Sequence, residues 1–139
     1  MTAAELITNQ IPSLHSTDTV LLALDLMQEH RVAELPLLDK NQKYAGLVHE
    51  EDLEDADEQK TLEAYLQQGN QVKVNPGDFF LVPLIIMQQR KLSLLPVVNE
   101  DGELTGVITQ EELLQAASQY NSASVPGGII ILQMSPNSF

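Results

Sequence analysis

The apolar residues in the first half of the chain follow two different periods. Leu21, Leu24 and Met27 recur at a three-residue spacing, which predicts a helix with one buried face. The apolar segments LPLLD and AGLV then follow, and the polar stretch KNQKY separates them, which is typical of a β-hairpin. A short strand, IPSL, is predicted before the helix, and a second helix is predicted from about Glu50. The order is therefore strand, helix, strand, strand, helix.

The same order recurs 60 residues later. Residues 11–53, which we call copy one, align without a gap on residues 71–113, which we call copy two. In copy two VKV replaces IPSL, the Leu-Leu-Met spacing is kept, and LPVV and LTGVI enclose the turn NEDGE before a helix that begins near Gln110. Because two copies are too few for an extended solenoid, we expect them to pack face to face. Residues 54–70 are predicted to form an acidic, partly helical linker.

The first helix of each copy has a candidate N-terminal cap. Asp18 and Asp78 hold equivalent positions just before the helices, where a carboxylate can accept unpaired N–H groups. Pro83 lies inside the predicted helix of copy two, at the position of Ala23 in copy one. Since an interior proline removes a hydrogen bond and clashes with the preceding turn, this helix is expected either to begin later or to be kinked.

Charge and composition argue against several classes of partner. The chain carries 20 acidic and seven basic residues, for a net charge of −13, and the basic residues are scattered. Nucleic acids and anionic membranes need clustered Lys and Arg, so neither is an expected partner. Cysteine is absent, no signal-peptide pattern is visible, and the longest apolar run, FFLVPLIIM, is too short to span a bilayer. We therefore expect a protein that acts in the cytoplasm.

The repeated segments resemble CBS domains, which occur as tandem pairs often called Bateman modules. The resemblance rests on VLLALDLMQEHRVAELPLLD and YAGLVHEEDL in copy one, and on FFLVPLIIMQQRKLSLLPVVNEDGELTGVITQEEL in copy two. It implies a fold of the α/β (α+β) class, in which two pseudo-symmetric β-α-β-β-α repeats pack through their sheets. The expected boundaries are residues 1–60 for the first repeat, 61–121 for the second and 122–139 for a C-terminal tail. In the family, clefts between the repeats often hold AMP, ADP, ATP or S-adenosylmethionine.

The resemblance also implies a ligand motif, Gly–apolar–x–Thr/Ser–x–x–Asp/Asn, whose hydroxyl bonds phosphate or ribose and whose carboxylate accepts from the ribose diol. Copy one keeps the acid, Asp52, but has His49 in place of the hydroxyl residue. Copy two keeps the hydroxyl, Thr109, but has Glu112 in place of the shorter acid. These four residues are candidate ligand contacts. Thr109 and Glu112 equally suit a helix capping box, and an exposed position at a helix start is the more common interpretation of His49.

The residues before the two LP pairs bear on phosphate binding. Family members that bind phosphate often have His or Arg there. This chain has uncharged or acidic residues instead: Ala33, Glu34, Ser93 and Leu94. Glu34 is expected to repel a phosphate, and Arg31 and Lys91, slightly upstream, complete the candidate ligand contacts as the nearby cations. We therefore expect adenosine-like ligands to be preferred over highly charged ones.

No motif for catalysis or for a metal is visible. The three His residues are isolated in sequence, and no nucleophile motif or P-loop occurs, so no metal, cofactor or enzyme activity is predicted. The expected function is a regulatory module that senses an adenosine-containing small molecule and relays a conformational shift. The alternatives are a ligand-free dimerisation scaffold and a small-molecule enzyme with a dispersed site.

Two features outside the ligand motif lead to further expectations. The first helices of both copies are apolar on more faces than one core can cover, which predicts a homodimer. Its expected interface residues are Leu22, Leu26, Val82 and Ile86. Residues 129–134 are predicted to form an extended strand that pairs outside the repeats. In some CBS proteins a comparable strand opens an ACT-type domain, so the chain is expected to be the front part of a longer protein.

Overall fold

The computed structural model describes residues 1–66 and 71–122. The helices are α1 (Val20–His30), α2 (Glu50–Leu53), α3 (Leu81–Arg90) and α4 (Gln110–Ser122). The strands are β1 (Leu14–His15), β2 (Glu34–Leu38), β3 (Tyr44–His49), β4 (Leu94–Val98) and β5 (Leu104–Thr109). Short 3-10 turns span Ala3–Glu5 and Leu62–Tyr65. The predicted hairpins and closing helices are confirmed, whereas the tail strand predicted at 129–134 lies outside the described residues.

Each hairpin forms an antiparallel pair with the same irregularity. In the β2–β3 pair the register shifts between Leu37 and Leu38, and in the β4–β5 pair it shifts between Val97 and Val98. In copy one, β1 adds a third, parallel strand beside β2. In copy two the equivalent contact is a single parallel bridge between Val74 and Val97. The two copies therefore follow one plan, with a shorter first strand in copy two.

The two hairpin turns are closed by equivalent side chains. Asp39 Oδ1 accepts two backbone N–H bonds, of 2.8 and 3.0 Å, and Asn99 Oδ1 accepts two of 2.9 Å. Gln42 and Gly102 hold the equivalent left-handed positions, with φ of 64° and 81°. The turns also touch each other, because the N–H of Tyr44 donates to the carbonyl of Gly102 at 2.9 Å. The hairpins thus join the two copies at their turn ends.

The prediction that Asp18 and Asp78 cap the first helices is wrong. Thr19 caps α1, since its hydroxyl oxygen accepts a helix N–H at 3.1 Å. Asp18 Oδ2 instead accepts the N–H of His15 at 2.8 Å, and Asp78 Oδ2 accepts the equivalent N–H in copy two at 3.0 Å. An Asp side chain is long enough to reach an N–H three residues back. Both carboxylates therefore close the turn that leads into the helix.

Pro83 marks a later helix start rather than a kink. Helix α3 begins at Leu81, one position later in the repeat than α1. Pro83 consequently lies in the first turn, where backbone N–H groups have no partner within the helix and proline is tolerated. Pro83 is buried, so its ring contributes to the core.

The segments that precede the two copies are exchanged between them. The N–H of Ala3, ahead of copy one, donates to the carbonyl of Asp78 in copy two at 2.8 Å. The N–H of Leu62, ahead of copy two, donates to the carbonyl of Asp18 in copy one at 2.9 Å. The segment ahead of copy one therefore packs on copy two, and the segment ahead of copy two packs on copy one. The two copies share one core.

Strands β2 and β4 lie at the centre of that core. Every residue of both strands is buried, and the two strands are in contact. Equivalent residues of the two copies pack in the same apolar cluster, as Leu35 with Leu95 and Leu37 with Val97 illustrate. The prediction that the repeats pack through their sheets is confirmed. This packing brings the first residues of β2 and β4 together.

Candidate functional site

A buried carboxylate lies where the two copies meet. Glu34 is the first residue of β2 and is only 3% exposed. Its Oε1 accepts the N–H of Ser93 at 2.6 Å and the N–H of Leu94 at 3.2 Å. The hydroxyl of Ser93 donates to the same oxygen and itself accepts the N–H of Ala33 at 3.1 Å. Since charge-assisted hydrogen bonds are the stronger kind, this carboxylate ties the start of β2 to the start of β4.

The imidazole of His49 completes this group. The β2–β3 register places His49 opposite Glu34, and His49 Nδ1 lies 3.7 Å from Glu34 Oε2. Hydrogen bonding to Glu34 raises the pKa of His49 against the effect of burial, and the Asp52 carboxylate adds to the rise. Burial raises the pKa of Glu34, but hydrogen bonds from His49 and Ser93 outweigh it and hold that pKa below its usual value. We call Glu34, His49, Ser93 and the N–H of Leu94 the Glu34 cluster.

Copy two has different chemistry at the equivalent positions. Leu94 stands at the position of Glu34, and Thr109 stands at the position of His49. Glu112 Oε1 accepts the N–H of Thr109 at 3.0 Å, and the Thr109 hydroxyl donates to the same oxygen. Because Thr109 directly precedes α4, Glu112 acts here as a capping carboxylate. The ligand roles of Thr109 and Glu112 stay predictions.

A cleft of about 480 Å³ lies beside the Glu34 cluster. Leu24, Met27 and Val32 supply apolar lining, and Arg31, Glu50 and Ser93 supply polar lining. Ser93 therefore faces the cleft and also bonds to Glu34. Of the six predicted contacts, Arg31 is part of this lining.

The two predicted cations share one backbone role. Arg31 follows α1 and Lys91 follows α3, and both residues have left-handed backbone angles, with φ of 57° and 54°. This conformation ends a helix, and it places a basic residue beside the negative end of the helix dipole. Both residues are exposed. Their helix-ending role accounts for their equivalent places in the repeat without a ligand.

Asp52 lies on the short helix α2, three residues after His49. The residue is exposed, and its backbone carbonyl accepts the hydroxyl of Tyr65 at 3.4 Å. Its carboxylate is near enough to His49 to favour the protonated imidazole. The structure thus brings Asp52 and His49 together in copy one, as it brings Thr109 and Glu112 together in copy two.

The sequence predictions omit three members of the Glu34 cluster, Glu34, Ser93 and Leu94, as contacts. Glu34 enters them only as a residue that repels phosphate, and Ser93 only as a residue without positive charge. The 60-residue offset makes Ala33 and Ser93 equivalent, but only the structure shows that these positions meet, through a bond of 3.1 Å. A glutamate followed directly by the apolar run LPLL is a candidate for burial.

Neither a metal site nor a membrane-spanning helix is present in the part of the chain that the structure describes. Within residues 1–66 and 71–122, no group of three or more His, Asp or Glu side chains is placed to hold a metal ion. In that same part of the chain, no helix is both long enough and apolar enough to cross a bilayer.

The repeated fold and the site between its copies define a known class of domain. A model of the CBS domain family matches residues 3–58 and 70–119, so the chain belongs to the CBS domain family and carries that domain twice. Among curated relatives, an inosine-5'-monophosphate dehydrogenase from Halalkalibacterium halodurans is 30% identical over 108 residues. Those residues are 77% of this chain and 22% of that enzyme, so the chain spans only about a fifth of this relative's length.

Solved structures share the fold over most of the chain. A CBS domain pair/ACT domain protein from Thermotoga maritima has a TM-score of 0.77 at 23% identity, covering 86% of this chain and 98% of that one. CBSX2 in complex with AMP has a TM-score of 0.71 at 23% identity, covering 86% of this chain and 97% of that one. At these identities the similarity shows the CBS-pair fold.

Proposed function

We propose that the chain is a regulatory CBS pair that senses an adenosine-containing small molecule such as AMP, ADP, ATP or S-adenosylmethionine. The observation that carries the proposal is the cleft where the copies meet, whose volume of about 480 Å³ suits a ligand of nucleoside size. Residues of both copies line it, Arg31 from one and Ser93 from the other. A ligand there favours the arrangement of copies that binds it best, which is the basis of a relayed shift. The complex of CBSX2 with AMP supports this ligand class.

The proposed ligand contacts are acceptors and donors. The acceptors are Asp52, Thr109 and Glu112, and the donors are His49, Arg31 and Lys91. Carboxylates suit the ribose diol, since each supplies two acceptor oxygens. A ligand that uses Thr109 must share or replace the bond from its hydroxyl to Glu112. We therefore propose that a ligand contacts Asp52 and Arg31 with the smallest loss of free energy.

We propose that the chain is not itself an enzyme. The Ser93 hydroxyl donates to Glu34, and the His49 imidazole lies at the other carboxylate oxygen of Glu34. A serine nucleophile needs its imidazole next to the hydroxyl, with the acid behind the imidazole. Here the acid lies between the two, so the group ties the copies together and does not activate Ser93.

We also propose that the module acts in the cytoplasm, without nucleic acid or membrane as a partner, in keeping with its net charge of −13.

Binding is tested by thermal shift with adenosine, AMP, ADP, ATP and S-adenosylmethionine. A ligand at 100 times its Kd stabilises the folded state by roughly 2.7 kcal/mol, so the melting temperature rises by several degrees. Arg31→Ala and Asp52→Asn are expected to reduce the rise, whereas Lys40→Ala, in an exposed hairpin turn, is the matched control. No rise with any of the five at millimolar concentration contradicts the proposal and favours the scaffold function.

We further propose that the module is a homodimer through its first helices. Leu22 on α1 is 40% exposed and Val82 on α3 is 39% exposed, and the two positions are equivalent in the repeat. Leu26 and Ile86 are half-buried against the core and border them. Large apolar side chains at equivalent places suit an isologous contact with a second copy. The same face supports the second candidate function, a dimerisation scaffold that needs no ligand.

Sedimentation tests the homodimer. The wild type is expected to sediment as a dimer at micromolar concentration, and the double variant Leu22→Asp with Val82→Asp as a monomer, because each interface then buries four unpaired charges. Leu114→Asp is the matched control, since Leu114 is 73% exposed on α4. A wild type that sediments as a monomer at every concentration overturns this part of the proposal.

A further inference from the structure

We propose that Glu34 is a built-in occupant of an anion-binding position between the two copies. Three donors converge on its Oε1: the N–H of Ser93 at 2.6 Å, the N–H of Leu94 at 3.2 Å and the Ser93 hydroxyl. His49 lies 3.7 Å from its other oxygen. Consecutive backbone N–H groups that point at one oxygen are a recurrent anion-binding arrangement in proteins. In this protein the carboxylate of Glu34 occupies that arrangement.

The fold holds the donors in place independently of Glu34. Ser93 and Leu94 lead into β4, and Leu94 and Leu95 are completely buried. The Ser93 oxygen accepts the N–H of Ala33 at 3.1 Å, which orients its proton toward Glu34. These constraints do not involve the Glu34 side chain. Removal of the carboxylate therefore leaves three aimed donors around an empty volume of the same size.

Such an arrangement is unstable when it is empty. Buried N–H and O–H groups without acceptors cost free energy, and a small anion that enters from solution restores their bonds. Acetate reproduces the missing part of the side chain, because Glu34→Ala removes one methylene group and the carboxylate. Glu34→Ala with bound acetate is thus chemically close to the wild type without acetate.

The position also bears on which ligand the cleft accepts, and this consequence rests on the proposed function. Ser93 lines the cleft and bonds to Glu34, so the Glu34 carboxylate lies one side chain behind the surface that a ligand would contact. Like charges repel strongly where little water screens them. A nucleoside with a neutral or cationic group is therefore accepted more readily than its phosphate ester, and Glu34 is the residue that makes the distinction.

Chemical rescue tests the anion position. The melting temperature of Glu34→Ala is measured in sodium acetate, with sodium chloride at the same ionic strength as the baseline. We expect acetate to raise it by at least about 3 °C. The wild type and Glu50→Ala are expected to show no such rise, since Glu50 lines the cleft but makes no bond to these donors.

Equal acetate responses of Glu34→Ala and Glu50→Ala overturn the proposal. If Glu34→Ala does not fold, Glu34→Gln decides, because it keeps the volume and loses the charge. The proposal then requires Glu34→Gln to melt below the wild type and to gain nothing from acetate. A Glu34→Gln protein that melts at the wild-type temperature overturns it.

The ligand consequence has its own measurement. The ratio of the Kd for AMP to the Kd for adenosine is expected to fall roughly tenfold in Glu34→Gln relative to the wild type, since one negative charge is removed. An unchanged ratio overturns the role of Glu34 in ligand choice. Failure of the wild type to bind either compound overturns the proposed function together with this consequence, whereas acetate rescue decides the anion position by itself.

Discussion

The first residue of β2 in copy one is Glu34, and the first residue of β4 in copy two is Leu94. Both residues are buried, but one is charged and the other is apolar. The next residues along, Leu35 and Leu95, are identical and fully buried. The apolar framework is thus shared by the copies, whereas the buried carboxylate at their junction comes from copy one only. A repeated fold can therefore keep its core and change its site through single residues at the edge of that core.

The copies also differ in their closing helices. Helix α2 has four residues and follows His49, whereas α4 has 13 and follows Thr109, whose N–H is capped by Glu112. In copy one the residue before the helix, His49, contacts Glu34, and in copy two Thr109 contacts Glu112 of its own closing helix. The residue at this position thus contacts its own copy in both cases, but only in copy one is its partner the carboxylate that also bonds to the other copy.

The largest expected effect comes from the shared framework. Leu35→Ala and Leu95→Ala each remove a fully buried side chain, so each is expected to cost about 2–5 kcal/mol of the free energy of unfolding, and by similar amounts. Urea unfolding followed by circular dichroism measures both. Leu114→Ala, at an exposed position, is the control. A difference larger than about 2 kcal/mol between the two core variants would show that the copies do not contribute alike.

A smaller effect is expected at the contact of the N-terminal segment with copy two. A Cβ atom at Gly106 would lie 2.9 Å from Ile7 Cβ, so Gly106→Ala is expected to cost about 1–3 kcal/mol through overpacking. Ile7→Ala in the same chain should recover part of the loss, which a double-mutant cycle measures. A neutral Gly106→Ala would show that residues 1–8 do not pack on copy two in solution.

The next smaller effect, of roughly 1 kcal/mol in the free energy of unfolding, is a pH dependence that comes from copy one, which contains Glu34 and His49. The lowered pKa of Glu34 gives stability that is present above its ordinary value of 4.5 and is lost as the pH falls through the folded-state value. The raised pKa of His49 gives stability that is present below 6.5 and is lost as the pH rises through its folded-state value. Urea midpoints across this range measure both losses.

Variants assign each loss to its residue. His49→Gln is expected to remove the loss at high pH, and Glu34→Gln is expected to remove both, because each residue depends on the other. Gln28→Ala, which changes a residue that lines the cleft without removing a titratable group, is the control and should keep the wild-type profile. A His49→Gln profile identical to that of the wild type would contradict the pairing of His49 with Glu34.

The smallest expected effect concerns the cap of α4. Glu112→Ala removes the acceptor of the Thr109 N–H and is expected to cost about 0.5–1 kcal/mol. The matched change in copy one, Asp52→Ala, acts on a helix of four residues and should cost less. Urea unfolding distinguishes the two. A larger loss from Asp52→Ala would reverse the assignment of capping to copy two.

Much of this fold could be predicted from the sequence, because its signals are local. The periods of the apolar residues and the polar turns define the hairpins and helices, and the 60-residue repeat indicates that two such units share a core. The contact of Thr109 with Glu112 was open to the same reasoning, since its partners lie three residues apart. The caps at Asp18 and Asp78 were predicted wrongly because two local N–H groups compete for one carboxylate.

The Glu34 cluster was decided by the tertiary structure alone. Glu34 and Ser93 are 59 residues apart in the chain and meet only because β2 and β4 pack against each other. The sequence by itself determined which residues are apolar and at what period, and hence the elements and the pairing of the copies. It did not determine which polar groups face each other across the junction, because a buried charge is stable only where the packing of both copies supplies its donors.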